Sequence, residues 1–165
     1  KRGNASNLNF CAVSLQRVFK RALNTTAVAA DRIRVQSGGI IAMTPDGPKG
    51  PRMRAKKAPV QLAKLAQSPL LPLAWAISNR SVVNDSWDKF VFPLPFGRGA
   101  LIWGDPIAPP SPDADDAEIE AVRAKLEAEL NRISAEADRI AGVPVIEPAR
   151  PKDEPSQGTQ AVAAQ

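Results

Sequence analysis

The chain contains no histidine and a single cysteine, Cys11, among its 165 residues. Without histidine it lacks the side chain that most often acts as a general base in enzymes. One cysteine excludes an intrachain disulfide, which fits a reducing compartment, and we interpret Cys11 as a small buried side chain. No run approaches the roughly 20 apolar residues of a membrane-spanning helix, and no secretory signal is recognisable. These absences predict a cytoplasmic chain.

Charge is unevenly distributed, although the net charge is only +5. Residues 1–105 carry 16 of the 22 Lys and Arg residues but only 5 of the 17 Asp and Glu residues. A basic body followed by an acidic C-terminal region predicts an anionic partner for the body. Phospholipid headgroups, phosphorylated substrates and nucleic acid all qualify. Nucleic acid is the least favoured, because no known aromatic-plus-basic sheet motif is present.

The first 37 residues form an N-terminal segment of uncertain structure. Its apolar residues lie roughly at helical spacing among basic residues, which predicts a basic amphipathic helix. Such a helix either packs on a core or contacts a membrane surface. Because the chain begins at Lys1 rather than at a methionine, we expect a fragment or a processed chain. The apolar residues of the predicted helix are Leu8, Phe10, Leu15, Val18, Phe19 and Leu23.

Residues 38–142 have the pattern of an α/β domain. A buried strand, a proline-rich loop, a helix and a second apolar strand follow one another, as in a βαβ unit. Two short strands and a long amphipathic helix come next, with Gly142 after the helix. The composition of residues 143–165 predicts a disordered tail. The predicted elements are strands at 40–44, 70–77, 89–92 and 100–103 and helices at 59–67 and 115–141.

The loop at 44–52 reads Thr-Pro-Asp-Gly-Pro-Lys-Gly-Pro-Arg and is the most informative stretch. It follows a strand and precedes a helix, where α/β proteins place ligand sites. Its glycines let a ligand approach the backbone, and its prolines restrict the loop. Its lysine and arginine can hold a phosphate, and its aspartate can orient them or accept a substrate hydroxyl. The alternative to a binding loop is a rigid, solvated basic turn that holds no ligand. The candidate substrate-binding residues are Asp46, Gly47, Lys49, Gly50 and Arg52.

This loop resembles the third block of the lysophospholipid acyltransferase superfamily. That block is commonly Pro-Glu-Gly-Thr-Arg and is taken to bind the phosphate of the acyl acceptor. Pro45 and Gly47 match it. Asp46 replaces Glu, Pro48 replaces Thr and Lys49 replaces Arg. The bacterial DUF374 subfamily, whose usual form is Thr-Pro-Asp-Gly-Pro-Arg-Gly-Pro, is a closer match.

Three later stretches also resemble that subfamily, so the resemblance covers roughly residues 38–141. The Leu-Pro-Leu at 71–73 is similar to the fourth block, which helps to shape the acceptor site. The Ser-Trp-Asp-Lys-Phe at 86–90 is similar to a Ser-Trp-Asp segment. The Ile-Trp-Gly-Asp-Pro-Ile at 102–107 is similar to a Gly-Glu/Asp-Pro-Ile strand end.

The resemblance implies both a fold and an activity. The fold is α/β, part of a glycerol-3-phosphate acyltransferase-like domain, with a mixed sheet, flanking helices and a long C-terminal amphipathic helix. The activity is acyl transfer from acyl-CoA or acyl carrier protein to a hydroxyl of a phosphate-bearing or lipid acceptor. It needs no cofactor or metal, and it implies peripheral contact with the inner face of the cytoplasmic membrane.

The chain departs from the family at the catalytic block, His-x-x-x-x-Asp, which is missing because there is no histidine. We therefore assign no catalytic residue, and we expect this chain alone to be inactive and to supply the acceptor-binding part. The alternative is a non-catalytic module that binds anionic lipid or phosphate.

Two further sets of residues are candidates with simpler explanations. The three tryptophans could stack on a ligand, but core packing is the more common role. Three aspartates near residue 115 could suggest a metal, but acidic residues also favour the start of a helix. These residues are Trp75, Trp87, Trp103, Asp113, Asp115 and Asp116.

Overall fold

A computed structural model describes residues 35, 37–47 and 50–150, and the backbone of residues 11–14. In this part, two helices lie among six strands. The strands are β1 (Cys11–Ser14), β2 (Ile41–Met43), β3 (Leu70–Ile77), β4 (Arg80–Val83), β5 (Phe90–Pro93) and β6 (Gly99–Trp103). The helices are α1 (Lys57–Ala66) and α2 (Asp116–Ala141).

Four strands form a mixed sheet in the order β2-β1-β3-β6. β1 is parallel to both β2 and β3, whereas β6 is antiparallel to β3. The unit of β2, loop, α1 and β3 is therefore a parallel crossover that spans one intervening strand. β4 and β5 pair separately as an antiparallel ribbon. The architecture confirms the prediction of a mixed α/β fold.

β3 has the predicted bounds and organises the sheet. Its residues alternate between buried and half-buried side chains, because successive side chains point to opposite faces. Pro72 lies in the part of β3 that pairs with β1. Proline cannot donate a ladder hydrogen bond, but the Pro72 carbonyl still accepts one from the N–H of Gly104, at 2.9 Å.

The core lies between the sheet and the two helices. The buried face of β3 shares one apolar cluster with α1 and with Leu126, Leu130 and Ile133 of α2, all three fully buried. Burying a side chain of this size stabilises the fold by about 1.5–3 kcal/mol. Near the C-terminal end of α2, Ala137 packs in a smaller cluster with Ala76 of β3. Small side chains let the helix lie close to the sheet there.

Both ends of α2 match the signals in the sequence. The Asp115 carboxylate accepts a hydrogen bond from the N–H of Glu118, at 2.8 Å, and so caps the N-terminus. Gly142 ends the helix with a φ of 71°, a conformation that glycine adopts without steric cost. Of the described helices, none combines the length and apolar character needed to cross a membrane.

The helix predicted in the N-terminal segment is wrong for the four residues that the structure describes. Cys11–Ser14 is a strand, and it pairs with β2 on one side and β3 on the other. Two rows of backbone partners outweigh the helical spacing of the side chains, which is a local signal only. The remaining residues of that predicted helix lie outside the described residues.

The structure also differs from the sequence prediction in two later segments. β4 (Arg80–Val83) was not predicted, because its four residues are too short to show a pattern. The disorder predicted from residue 143 is wrong for residues 143–150, which pack on the body of the protein through backbone hydrogen bonds to the charged side chains of Arg52, Arg80 and Asp138. Residues 151–165 lie outside the described residues.

Truncating Leu130 tests whether the cluster on α2 stabilises the fold. We expect Leu130→Ala to lower the free energy of unfolding by roughly 2–5 kcal/mol, because it leaves a cavity in a fully buried cluster. Ile140→Ala on the same helix is the control, since Ile140 is 63% exposed, and its cost should be within about 0.5 kcal/mol. Urea unfolding measures both; equal costs would contradict the assigned core.

Candidate functional site

The loop after β2 lies at the edge of the sheet where the parallel strands end, as predicted. Its Asp46 is buried, and its Oδ2 accepts a hydrogen bond from the N–H of Met53, at 3.5 Å. The carbonyl of Pro45 accepts from the N–H of Lys56, at 2.8 Å, which closes the loop at its base. Met53 has a φ of 60°, a strained conformation for a non-glycine residue. These contacts hold the two described sides of the loop, residues 44–47 and 50–53, against each other.

Gly50 packs directly beneath the indole of Trp87. A Cβ placed on Gly50 would lie 2.3 Å from Cζ3 of that ring, and Gly50 has a φ of 67°. Both observations require glycine at this position. The structure thus brings the loop against the Ser-Trp-Asp segment, two stretches that the sequence presents as separate motifs.

Arg52 joins the loop to two distant segments. Its Nε and Nη2 donate to the carbonyl of Glu147, at 3.1 and 3.0 Å, and its Nη1 donates to the carbonyl of Trp87, at 3.2 Å. The backbone of Arg52 also accepts from the N–H of Ala149, at 3.0 Å. Three of the five guanidinium N–H donors are therefore used to hold backbone in place.

A buried ion pair supports this arrangement from α2. Asp138 and Arg80 pair at 2.6 Å, with side chains 4% and 6% exposed. The second carboxylate oxygen of Asp138 accepts from the N–H of Ile146, at 3.2 Å, and Arg80 also donates to the carbonyl of Pro144, at 2.7 Å. Buried charges require such complete pairing. The pair anchors both β4 and residues 143–150.

A cavity of about 50 Å³ opens beside the loop, which is room for three or four water molecules. Its charged lining is nearly balanced, with three carboxylates and two cations. The hydroxyl of Ser134 lines it and has no hydrogen-bond partner among the described residues. The lining residues are Asp46, Arg52, Met53, Trp75, Asp88, Lys89, Phe90, Val91, Ser134, Asp138 and Ile146. Such a cavity suits a small polar group better than a free anion.

A further cation lies next to the cavity rather than in its lining. Lys56 is exposed and lies over the loop, since a Cβ on Gly47 would be 3.4 Å from its Nζ. In the described part of the chain this ammonium has no hydrogen-bond or ion-pair partner. It immediately precedes α1, whose N-terminus no side chain caps. An uncapped helix start beside a lysine favours an anion.

The structure brings together four of the five predicted site residues: Asp46, Gly47, Gly50 and Arg52 all lie in the closed loop. Lys49 lies outside the described residues. The sequence analysis did not select Lys56 or Ser134 as site residues. The run of positive charges at 52–57 was a usable signal for Lys56, but no local pattern marks Ser134, which α2 brings in from more than 80 residues away.

The structure also shows where the candidate tryptophans and aspartates lie. Trp75 lines the cavity, whereas Trp87 and Trp103 are 41% and 55% exposed rather than in the core. Asp115 caps α2, as its position before the helix suggested. The described residues contain no group of acidic or cysteine side chains suited to a metal ion.

A search of curated proteins finds a relative in Rickettsia prowazekii (strain Madrid E), named "Uncharacterized protein RP090". The two chains are 36% identical over 75 residues, which cover 46% of this chain and 34% of the relative. The aligned part thus spans about a third of the relative's length. No family model matches the chain, and no solved structure gives a significant match.

Two glycine substitutions test the packing of the loop against Trp87. Gly50 and Gly142 both have positive φ, but only Gly50 has a neighbour that an added Cβ would overlap. Gly142→Ala should therefore show only the backbone cost, about 1–2 kcal/mol. Gly50→Ala should cost more and should also shift the tryptophan emission, because the indole must move. Urea unfolding followed by fluorescence measures both; identical behaviour of the two variants would refute the contact.

Proposed function

We propose that the protein transfers an acyl group from a thioester to a hydroxyl of a phosphate-bearing or lipid acceptor. In this proposal the chain supplies the acceptor-binding part of an acyltransferase-like fold. The supporting observation is the closed loop at the carboxyl edge of parallel strands, with a small cavity of mixed polar and apolar lining on one side and the exposed Lys56 on the other. Both a hydroxyl and a phosphate can be accommodated there.

The two parts of the acceptor have separate places in this proposal. Its hydroxyl-bearing part approaches the cavity, where Asp46 and Ser134 offer hydrogen-bonding oxygens. Its phosphate lies outside, near Gly47, Lys56 and the start of α1, with Lys49 adding charge. Arg52 contributes through the shape of the loop, because carbonyl groups occupy three of its donors. The nearly balanced charge of the cavity supports this division, since a further buried anion would be costly there.

The chemical step needs a general base that these 165 residues do not contain. A histidine in a His-x-x-x-x-Asp block upstream would remove the hydroxyl proton. The resulting oxygen attacks the thioester carbonyl, the C–S bond breaks, and the thiol of the donor leaves with a proton. Acyl-CoA or acyl carrier protein serves as donor, no cofactor is needed, and the reaction takes place at the inner face of the cytoplasmic membrane.

The alternative is a module that binds anionic lipid or phosphate without chemistry, and the absence of histidine favours it for this chain alone. An assay of acyl transfer to glycerol 3-phosphate and to lysophospholipids distinguishes the two functions. The protein that includes the upstream coding sequence should transfer acyl groups, and this chain should bind the acceptor without doing so. Acceptor binding without transfer by either form would leave the binding module as the function.

Replacing Lys49 tests the site directly. Lys49→Ala in the transfer-competent protein should raise the KM for a phosphate-bearing acceptor roughly tenfold, because one charge-assisted contact is lost. Adding Arg52→Ala should raise it further, and should also lower the free energy of unfolding. Lys125→Ala is the control, since Lys125 is an exposed lysine on α2. A KM for Lys49→Ala equal to that of the control would exclude the anion site.

A further inference from the structure

β6 forms one edge of the mixed sheet, and its outer side has free backbone groups. The carbonyl of Arg98 accepts from the N–H of Ser78, at 2.7 Å, and the N–H of Gly104 donates to the carbonyl of Pro72, at 2.9 Å. Hydrogen bonding alternates along an antiparallel pair, so the odd-numbered residues of β6 direct their N–H and C=O groups away from β3. Among the described residues, no group bonds to them. We call these residues the free edge: Gly99, Leu101 and Trp103.

The free edge lacks the residues that normally protect the edge of a sheet. Natural edge strands carry charged side chains or a proline, but the five residues of β6 include neither. Leu101 and Trp103 are 60% and 55% exposed. Both lie on the face of the sheet away from α2, because Ala100 and Ile102, which alternate with them, pack in the cluster of Ala137. An exposed apolar edge strand with unpaired backbone groups is a pairing site for another strand.

One flank of α2 lies beside the free edge and carries charges of alternating sign. A Cβ on Gly104 would lie 2.7 Å from Oε1 of Glu129, so Glu129 lies at the end of β6. Arg132 and Glu136 follow at helical spacing and are 57% and 43% exposed, and Arg139 is exposed too. We call these four residues the charged row. Because α2 runs from Glu129 to the alanine cluster at the other end of β6, the middle of the row lies near the middle of the strand.

The free edge is complementary to itself after a two-fold rotation. In an antiparallel pair centred on Leu101, this leucine faces Leu101 of a second copy, and Trp103 faces Gly99 of that copy. Each outward N–H then meets a carbonyl of the other strand. The leucines pack against each other, and each indole covers a glycine that has no side chain of its own.

The charged row is complementary to itself under the same rotation. The rotation reverses the direction of α2, so Arg132 of one copy approaches Glu136 of the other. Arg139, which forms no ion pair within the described residues, approaches Glu129 of the other copy. An unrelated strand could pair with the free edge, but it would not bring a matching row of charges. A second copy of this chain therefore fits both features.

We propose that the chain forms a two-fold dimer in which β6 pairs antiparallel with β6 of a second copy, and the two mixed sheets become one continuous sheet. The axis is perpendicular to the sheet and passes between the two Leu101 residues. Strand direction reverses across this axis, so the two candidate sites lie at opposite ends of the joined sheet. The dimer goes beyond the proposed function and does not depend on acyl transfer, so either proposal can fail alone.

Sedimentation equilibrium of the full chain over a range of concentrations tests the dimer. Leu101→Lys with Trp103→Lys should raise the dissociation constant of the dimer roughly a hundredfold or more. The change removes apolar side chains that the dimer buries and places two lysines opposite each other at the axis. Val83→Lys with Phe92→Lys is the matched control, because these residues are 47% and 55% exposed on the β4–β5 ribbon and the added charge is equal. The control should dimerise like the unmodified chain.

Cysteine cross-linking locates the axis without adding charge. Leu101→Cys should give a disulfide-linked dimer on mild oxidation, because directly opposite Cα atoms in such a pair are about 5.5 Å apart, within the reach of a disulfide. Phe92→Cys is the control and should not cross-link, and Cys11 is present in both variants. The proposal fails if the unmodified chain sediments as a monomer at every concentration, or if both lysine pairs weaken the dimer alike. It also fails if Leu101→Cys cross-links no faster than Phe92→Cys.

Discussion

The carboxylate of Asp138 is the constraint on which the rest of the site depends. A buried charge is tolerated only when its oxygens are paired, and Asp138 achieves this with Arg80 and with the backbone of Ile146. Those two bonds fix the ribbon and residues 143–150 against α2. Residues 143–150 then supply the carbonyl of Glu147, which accepts two hydrogen bonds from Arg52. One buried carboxylate on a helix thereby determines the shape of a loop some 90 residues earlier.

The same helix holds the end of the loop from a second position. Glu127 accepts from the N–H of Ala55, at 2.9 Å, and pairs with Arg54, at 3.1 Å. Arg123 completes the group by pairing with Glu127, at 2.7 Å. Burial acts to lower the pKa of Arg123, but its hydrogen bonds and the charges of Glu120 and Glu127 raise it overall. α2 is thus both the main wall of the core and the support of the site.

The β4–β5 ribbon connects α2 with the candidate site. Arg80 of β4 pairs with Asp138 of α2, and Phe90 and Val91 of β5 line the cavity. The division of charge in the proposed site fits this geometry, because the cavity is nearly neutral while the exposed Lys56 lies outside it, over the loop.

The sequence by itself determined the elements that local patterns encode. β3, both helices and the loop at 44–52 follow from apolar spacing, Asp115 and Gly142 at the ends of α2, and the run of prolines and glycines. The tertiary structure alone decided what lies next to what. Cys11–Ser14 forms a strand because it pairs with β2 and β3. Arg52 donates hydrogen bonds to the carbonyls of Trp87 and Glu147. Gly50 packs against the indole of Trp87, and Ser134 lines the cavity. Contacts between residues far apart in the chain leave no periodic signal, so only the folded chain defines the site.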